Sequence, residues 1–379
     1  VVEKIYQTTS RDAVTGARTG LLTLPHGPVE TPVFMPVGTA GTVKAMTAPD
    51  IHRIGFRLLL GNTYHLYLRP GVEVLSRFGG LHAFSRWNHN ILTDSGGFQI
   101  FSLSHMRKIT EDGVTFQSHI DGSRHALTPE RVVDIQVTIG SDIQMALDVC
   151  TGPDIDHAAA RAALETTSEW AIRAKRQWTT HRETYRGILF PIVQGNFYHD
   201  LRKESVERTV SLDLPGIAIG GLSVGEPFDK FVETLARTME HIPAELPRYV
   251  MGIGTPEYIL AAIEHGVDMF DCVFPTRAGR NGLLFTTKGR INLKNARWAL
   301  DTGVPDPEID SFGGERYSLG YLHHLFKSGE ILGSMLASRH NLAFLHHLVF
   351  LSRNAIREGS FSSFKERFLE GYGSGTTRA

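Results

Sequence analysis

Short apolar runs recur along the chain, and stretches with helical spacing of apolar residues separate most of them. The runs cover residues 32–37, 57–62, 91–94, 142–148, 188–194, 216–221, 248–253 and 268–273. Each has the length and continuity of a strand buried on both faces. Helix signals fill the gaps. Thr47 caps a helix with Pro49 and Asp50 in its first turn. Another helix is expected around 72–78, and Thr128-Pro129 opens one that Gly140 closes. Helical patterns at 158–181, 199–211 and 228–241 keep the alternation, and Thr255-Pro256 caps the helix before the last run. Eight strands separated mostly by helices predict an α/β fold of the (β/α)8 TIM barrel type.

The flanking and inserted segments read differently. Residues 21–35 predict a hairpin around His26-Gly27, and residues 108–121 an inserted hairpin with Asp112-Gly113 at its turn. Residues 283–292 predict a hairpin around Lys288-Gly289, residues 298–314 a loop rich in Asp, Pro and Gly, and residues 319–372 helix. The expected division is a catalytic barrel with its N-terminal hairpin at 1–297, and a C-terminal helical subdomain at 298–379 packed on it.

Polar or backbone-exposing residues stand at the downstream ends of the runs: Asn62, Asp94, Asp148, Gln194, Gly221, Gly252 and Asp271. A single acid there is most simply a turn residue or a helix cap. Three acids, an Asn and a Gln at equivalent points of successive units predict a shared polar site, because those ends converge on one face of such a barrel. Asp271 lies inside an apolar run, where an unpaired charge is costly. The chain then breaks at Pro275 into an expected basic loop carrying Arg277 and Arg280. Carboxylates so placed suit attack at a sugar carbon with proton transfer by a second group. DSGG at 94–97 would let backbone amides approach a flat ligand.

Bulk properties narrow the partners. Of 379 residues 41% are hydrophobic and 21% charged, with a net charge of −1, so total charge does not steer the molecule to nucleic acid. Local clustering can. Residues 274–300 carry six basic residues and no acid, placed directly after Asp271, which points to phosphate binding. The two cysteines, Cys150 and Cys272, exclude a disulfide framework and a multi-cysteine metal site and suit a reducing cytoplasm. Cys150 is expected to be a pocket wall rather than a nucleophile, and the His323-His324 and His346-His347 pairs to be packing or surface residues. No secretory leader or membrane-spanning run is expected, and the opening Val1 suggests that an initiator or short leader is missing.

The motifs FMPVGT (34–39), LGNTYHL (60–66), LTDSGGFQ (92–99), SHIDGSRH (118–125), PERVVDIQ (129–136), GGLSVGE (220–226) and MFDCVFPTRAGRNG (269–282) together resemble the tRNA-guanine transglycosylases. The match runs over nearly the whole chain. The resemblance implies a cytoplasmic, homodimeric (β/α)8 barrel enzyme that exchanges the wobble guanine in the tRNAs for Asp, Asn, His and Tyr for a 7-deazaguanine base. It implies Asp271 as the nucleophile and Asp94 as the general acid/base. Ser95, Gly96 and Gly97 would line the pocket. Asp148, Gln194, Gly220 and Gly221 would face the edge of the base, with Phe98 and Met251 on either side of its ring. Tyr is common at the Phe98 position, so the stack is kept and a hydroxyl lost. Two RNA-contacting segments follow: Gly252, Ile253, Gly254, Thr255, Pro256, Glu257 and Tyr258, and Thr276, Arg277, Ala278, Gly279 and Arg280.

Cys150 and Val224 resemble the bacterial branch, which takes 7-aminomethyl-7-deazaguanine and receives its aminomethyl group on the carbonyl of Leu222, near Glu226. The alternatives are a queuine-using enzyme, a non-catalytic tRNA-binding subunit, and a barrel glycosidase acting on free sugars. The family also carries a structural zinc on three Cys and one His. The matching positions here are Ile309, Ser311, Gly314 and His340. Only the histidine remains, so no zinc and no other cofactor is expected.

Overall fold

Parallel pairing organises the centre of the molecule, whose computed structural model describes residues 4–103 and 107–376. One sheet runs Ile192–Val193, Ile217–Ile219, Arg248–Val250, Met269–Cys272 and Val33–Pro36. A second runs Ile188–Phe190, Ile143–Met145, Asn90–Thr93 and Leu58–Gly61. A bridge from Val37 to Leu60 links them at one side. Pro191 separates them at the other, where it has no N–H to give a ladder. The fold is mixed α/β with parallel sheets, its strands coinciding with the apolar runs. Those runs outlast the ladders: 142–148 pairs only over Ile143–Met145.

Alternation along each strand decides what reaches the site. Met35, Leu60, Leu92, Ile192, Tyr249 and Met269 belong to one buried cluster between the strands. Their neighbours Phe34, Ile91, Val193, Val250 and Phe270 pack with the helices. Side chains two residues apart share a face. Leu92 therefore leads to Asp94, Ile192 to Gln194, Tyr249 to Met251 and Met269 to Asp271. The upstream ends hold structural polar pairs. Arg18 and Asp268 are fully buried and joined at 2.5 Å, and Tyr6 Oη donates to the same carboxylate at 2.6 Å. His26 and His82 stack at 3.9 Å and both engage buried Asp142.

Most expected helices form with the expected caps. Thr47 and Asp50 make a reciprocal capping box for Ala48–Ile54. Thr128 caps Pro129–Ile139, and Gly140 closes it at φ 79°. The inserted hairpin is a three-stranded sheet, Arg107–Thr110, Gly113–Gln117 and Arg124–Leu127. It is tied to the chain after Asn62 by Tyr64 Oη and His119 Nδ1 at 2.7 Å. The basic segment after Asp271 is a correction: Phe274–Arg280 is a helix, not a loop. Pro275 falls in its first turn, where no intrahelical N–H is needed. Gly279 is there because the long helix Ile331–Arg357 crosses over it.

That crossing joins the C-terminal helices Leu319–Lys327, Ile331–Arg357 and Phe361–Thr376 to the sheet region. Asn341 donates to the carbonyls of Pro275 and Leu283 at 2.9 Å and accepts from Phe285 N at 2.9 Å. Leu342, Phe344, Leu345 and Leu348 share the main core with Phe34, Ile91 and Phe270. A Cβ on Gly279 would lie 2.9 Å from the backbone of Ala337 and Ser338. Two helix backbones would have to separate, an overpacking that costs about 1–3 kcal/mol. Gly279→Ala is expected to lower the urea midpoint accordingly at unchanged m-value; an unchanged midpoint would contradict this crossing.

Candidate active site

Asp271 sits at the downstream end of Met269–Cys272, buried, with its Oδ1 accepting from Tyr249 Oη at 2.5 Å and Gly252 N at 3.0 Å. Both bonds fall on Oδ1, and Oδ2 takes none among the described residues. Burial pushes the Asp271 carboxyl above its usual range, and the bonds from Tyr249 and Gly252 oppose that. Tyr249 itself is held well above the ordinary phenol range, chiefly by burial and then by the Asp271 charge. It stays a donor.

Asp94 follows Asn90–Thr93. Oδ2 accepts from Asn62 Nδ2 at 2.5 Å, while Oδ1 accepts from Thr63 N at 2.9 Å and Gly96 N at 3.2 Å. Burial pushes it up to about 6; the bonds from Asn62, Thr63 and Gln99 pull it back, and the Asp271 charge adds to the rise. The two acids are therefore electrostatic neighbours.

Asp148 forms a third centre. Ser95 Oγ donates to Oδ1 at 2.9 Å and Gln194 Nε2 to Oδ2 at 2.7 Å. Burial raises this carboxyl too, against those two bonds. Glycines make the closeness possible. A Cβ on Gly97 would come within 2.8 Å of Asp148, and one on Gly221 within 2.6 Å of Gln194 Oε1. Gly220 presses on Gln194 from the other side. Gln194 Oε1 is buried and has no hydrogen-bond partner among the described residues. Leu222 is buried, and the Glu226 carboxylate accepts from the amides of Ser223 and Val224. Cys150 lines a small cavity with Gly97, Asp148 and Trp170, and burial lifts its thiol to about 12. That fits a wall and not a nucleophile.

The remaining expected residues divide by exposure. Phe98 is 52% exposed on the helix Gly97–Leu103, and Met251 is half-buried. Between 252 and 258, Gly254 lies against Cys272, Ile253 and Pro256 are buried, and Tyr258 packs on Phe228 and Phe231. Thr255 caps Pro256–Glu264 in extended conformation without a side-chain bond. Glu257 pairs with Arg290 at 3.5 Å, so this arginine of the basic run is occupied inside the protein. In the helix Phe274–Arg280, Thr276, Ala278 and Gly279 face inward, while Arg277 is exposed and Arg280 half-buried.

Tyr249 was not singled out from sequence, although its parity with Met251 in the same run is a usable signal. Asn62 was noted as a strand end without a role, and Thr63 shows no signal, since its contribution is a backbone N–H. His346 and His323 are packing residues: burial lowers His346 to about 4, and His323 Nδ1 bonds Leu293 O at 2.7 Å. At the positions matching a zinc site, Ser311 Oγ and Phe285 O each lie 2.7 Å from a ring nitrogen of buried His340. Both ring nitrogens are occupied, and Ile309 and Gly314 offer no side-chain ligand. The set does not fit a metal.

Two buried acids with neutral donors, beside a third acid and an amide in a glycine-walled pocket, define a candidate site for chemistry at a sugar carbon that bears a planar base. Comparison with known proteins agrees. The family model described as "Queuine tRNA-ribosyltransferase" matches residues 12–374, and the chain belongs to that family. A relative of that name from Caldanaerobacter subterraneus subsp. tengcongensis is 52% identical over 367 residues, 97% of each chain. One from Treponema denticola is 53% identical over 370 residues, 98% of each chain. One from Borrelia hermsii is 51% identical over 364 residues, 96% of this chain and 97% of the relative.

Removing the Tyr249 hydroxyl takes away a hydrogen bond to a charged group, an interaction of about 1.5–3 kcal/mol. The ionised form of Asp271 loses support, so its carboxyl moves further above its usual range. In Tyr249→Phe the acid limb of the pH–rate profile should move to higher pH. A limb that stays in place would show that Tyr249 does not hold Asp271.

Proposed function

We propose that this protein exchanges the wobble guanine of tRNA for 7-aminomethyl-7-deazaguanine through a covalent Asp271–ribose intermediate. The carrying observation is the pairing of Asp271, whose Oδ1 is held by Tyr249 and Gly252 while Oδ2 takes no hydrogen bond among the described residues, with a buried Asp94 held by Asn62, Thr63 and Gly96, whose carboxyl burial pushes up to about 6. Oδ2 of Asp271 attacks C1′ of the ribose and the bond to N9 of guanine breaks. Asp94 gives its proton to the departing base. The incoming base then loses its N9 proton to Asp94, attacks C1′ and expels Asp271. One proton leaves and returns, so a single acid serves both halves.

Asp148, Gln194 and Gly221 read the hydrogen-bonding edge of the base, with Ser95, Gly96, Gly97 and Gly220 allowing the approach, and Phe98 and Met251 stack on its faces. Gln194 Nε2 donates to Asp148 Oδ2, so a bound base takes over a bond that these residues make to each other. Cys150 and Val224 leave room for a small substituent, and the carbonyl of Leu222 receives the aminomethyl group. Exposed Arg277 supports binding of the phosphates beside the extruded nucleotide, and Gly252–Tyr258 forms a second RNA-facing segment.

The parallel pairings and the Val37–Leu60 bridge support closure of the strands into a (β/α)8 barrel over residues 1–297, with 298–379 as the subdomain packed on it. Family membership supports a homodimer, and a tRNA substrate with two free cysteines supports a cytoplasmic setting. The His340 hydrogen bonds support a C-terminal region that holds together without zinc.

Two measurements follow. Asp271→Ala should incorporate no labelled guanine into cognate tRNA, whereas wild type does and prefers 7-aminomethyl-7-deazaguanine over queuine in direct competition; incorporation by the variant would remove Asp271 from the mechanism. Metal analysis of the purified protein should find substoichiometric zinc and unchanged activity after chelation. One zinc per chain would overturn the metal-free assignment.

A further inference from the structure

One buried cation beside the pocket has no part in the steps above. Arg202 lies on His199–Val210 and is almost fully buried. Its Nε donates to Asn196 O at 2.7 Å, and neither Nη has a hydrogen-bond partner among the described residues. A Cβ built on Gly221 would lie 3.4 Å from Arg202 Nη2 and 2.6 Å from the unpartnered Gln194 Oε1. Arg202 Nη2 and Gln194 Oε1 thus both lie on the side of Gly221 from which a Cβ would project, so the guanidinium abuts the glycine turn beside Gln194. Burial lowers its pKa to about 9, opposed by the Glu226 charge, yet Glu226 is committed to the amides of Ser223 and Val224. An arginine stripped of water and given one bond is a costly arrangement. It becomes favourable when negative charge arrives nearby.

The reaction brings such charge. Breaking the bond from C1′ to N9 leaves both electrons on guanine, and the purine spreads them toward the edge that Gly221 and Gln194 read. We infer that Arg202 is a positioning residue for base departure, acting through the Gly220–Gly221 turn and Gln194 to keep them in register and to place a positive field near the departing base. This rests on the transglycosylase reading. Preorganised charge aimed at developing charge is the kind of interaction whose removal typically costs about 10²–10³ in kcat.

The test uses the full-length protein with cognate tRNA and labelled guanine. Arg202→Met, which keeps the volume and removes the charge, should lower kcat for guanine exchange by about 10²-fold while the KM for tRNA stays within about twofold. Arg202→Lys should recover part of that loss, and low-millimolar guanidinium should partly rescue Arg202→Ala. If Arg202→Met does not fold, Arg202→Lys and its kcat-to-KM split carry the test. Unchanged kcat in Arg202→Met overturns the inference. So does an equal loss in the Met and Lys variants with both KM values raised, which marks a purely structural role. Failure of wild type itself to exchange guanine would instead sink the transglycosylase reading.

Discussion

The energy of keeping carboxylates inside protein governs this molecule. An isolated buried carboxylate is penalised by many kcal/mol and ordinarily escapes by taking up a proton. The strand that carries the proposed nucleophile meets the problem in two ways within four residues. Asp268 is neutralised by Arg18, with Tyr6 Oη and the Arg248 amide completing its shell. That acid is spent on structure. Among the described residues, Asp271 is held by neutral donors, a phenol and an amide, and Asp94 likewise by Asn62 and backbone N–H groups. Neutral donors support the charge without consuming it. Reactivity survives where a salt bridge would have removed it.

The same constraint asks for donors held in place by their surroundings. Donors of this kind work only when fixed, since a drifting amide supports nothing. Tyr249 is locked in the cluster between the strands. Thr63 N and Asn62 sit where the chain leaves Leu58–Gly61, and the inserted sheet ties down the same turn through Tyr64 and His119. On the far side, Asn341 clamps the chain before and after Phe274–Arg280. The C-terminal helices therefore brace the helix that presents Arg277 beside Asp271. The proposed bond breaking and RNA contact are thereby anchored to one piece of backbone.

Much of this is written in the period of the sequence. Apolar runs marked all the core strands, and counting back by two from Asp94, Gln194 and Asp271 reaches Leu92, Ile192 and Met269 on the inner face. What remained hidden has physical causes. A backbone donor such as Thr63 N leaves no trace in residue identity. Tyr249 reads as one more apolar strand position until its hydroxyl finds Asp271. Phe274–Arg280 resembles a loop because Pro275 and Gly279 are helix breakers in general, and only the neighbouring helix Ile331–Arg357 shows why the glycine is needed. Arg202 looks like one more charge on an amphipathic helix, and its burial is a tertiary fact.

The central claim is a covalent bond between Asp271 and the ribose. It is tested most directly by quenching wild-type protein with cognate tRNA under denaturing conditions, trimming the RNA with nuclease and mapping the adduct by mass spectrometry. The account predicts a nucleotide adduct lacking guanine on the peptide that contains Asp271, and none in Asp271→Asn. Guanine exchange that proceeds with no adduct, or an adduct on the Asp94 peptide instead, would contradict it.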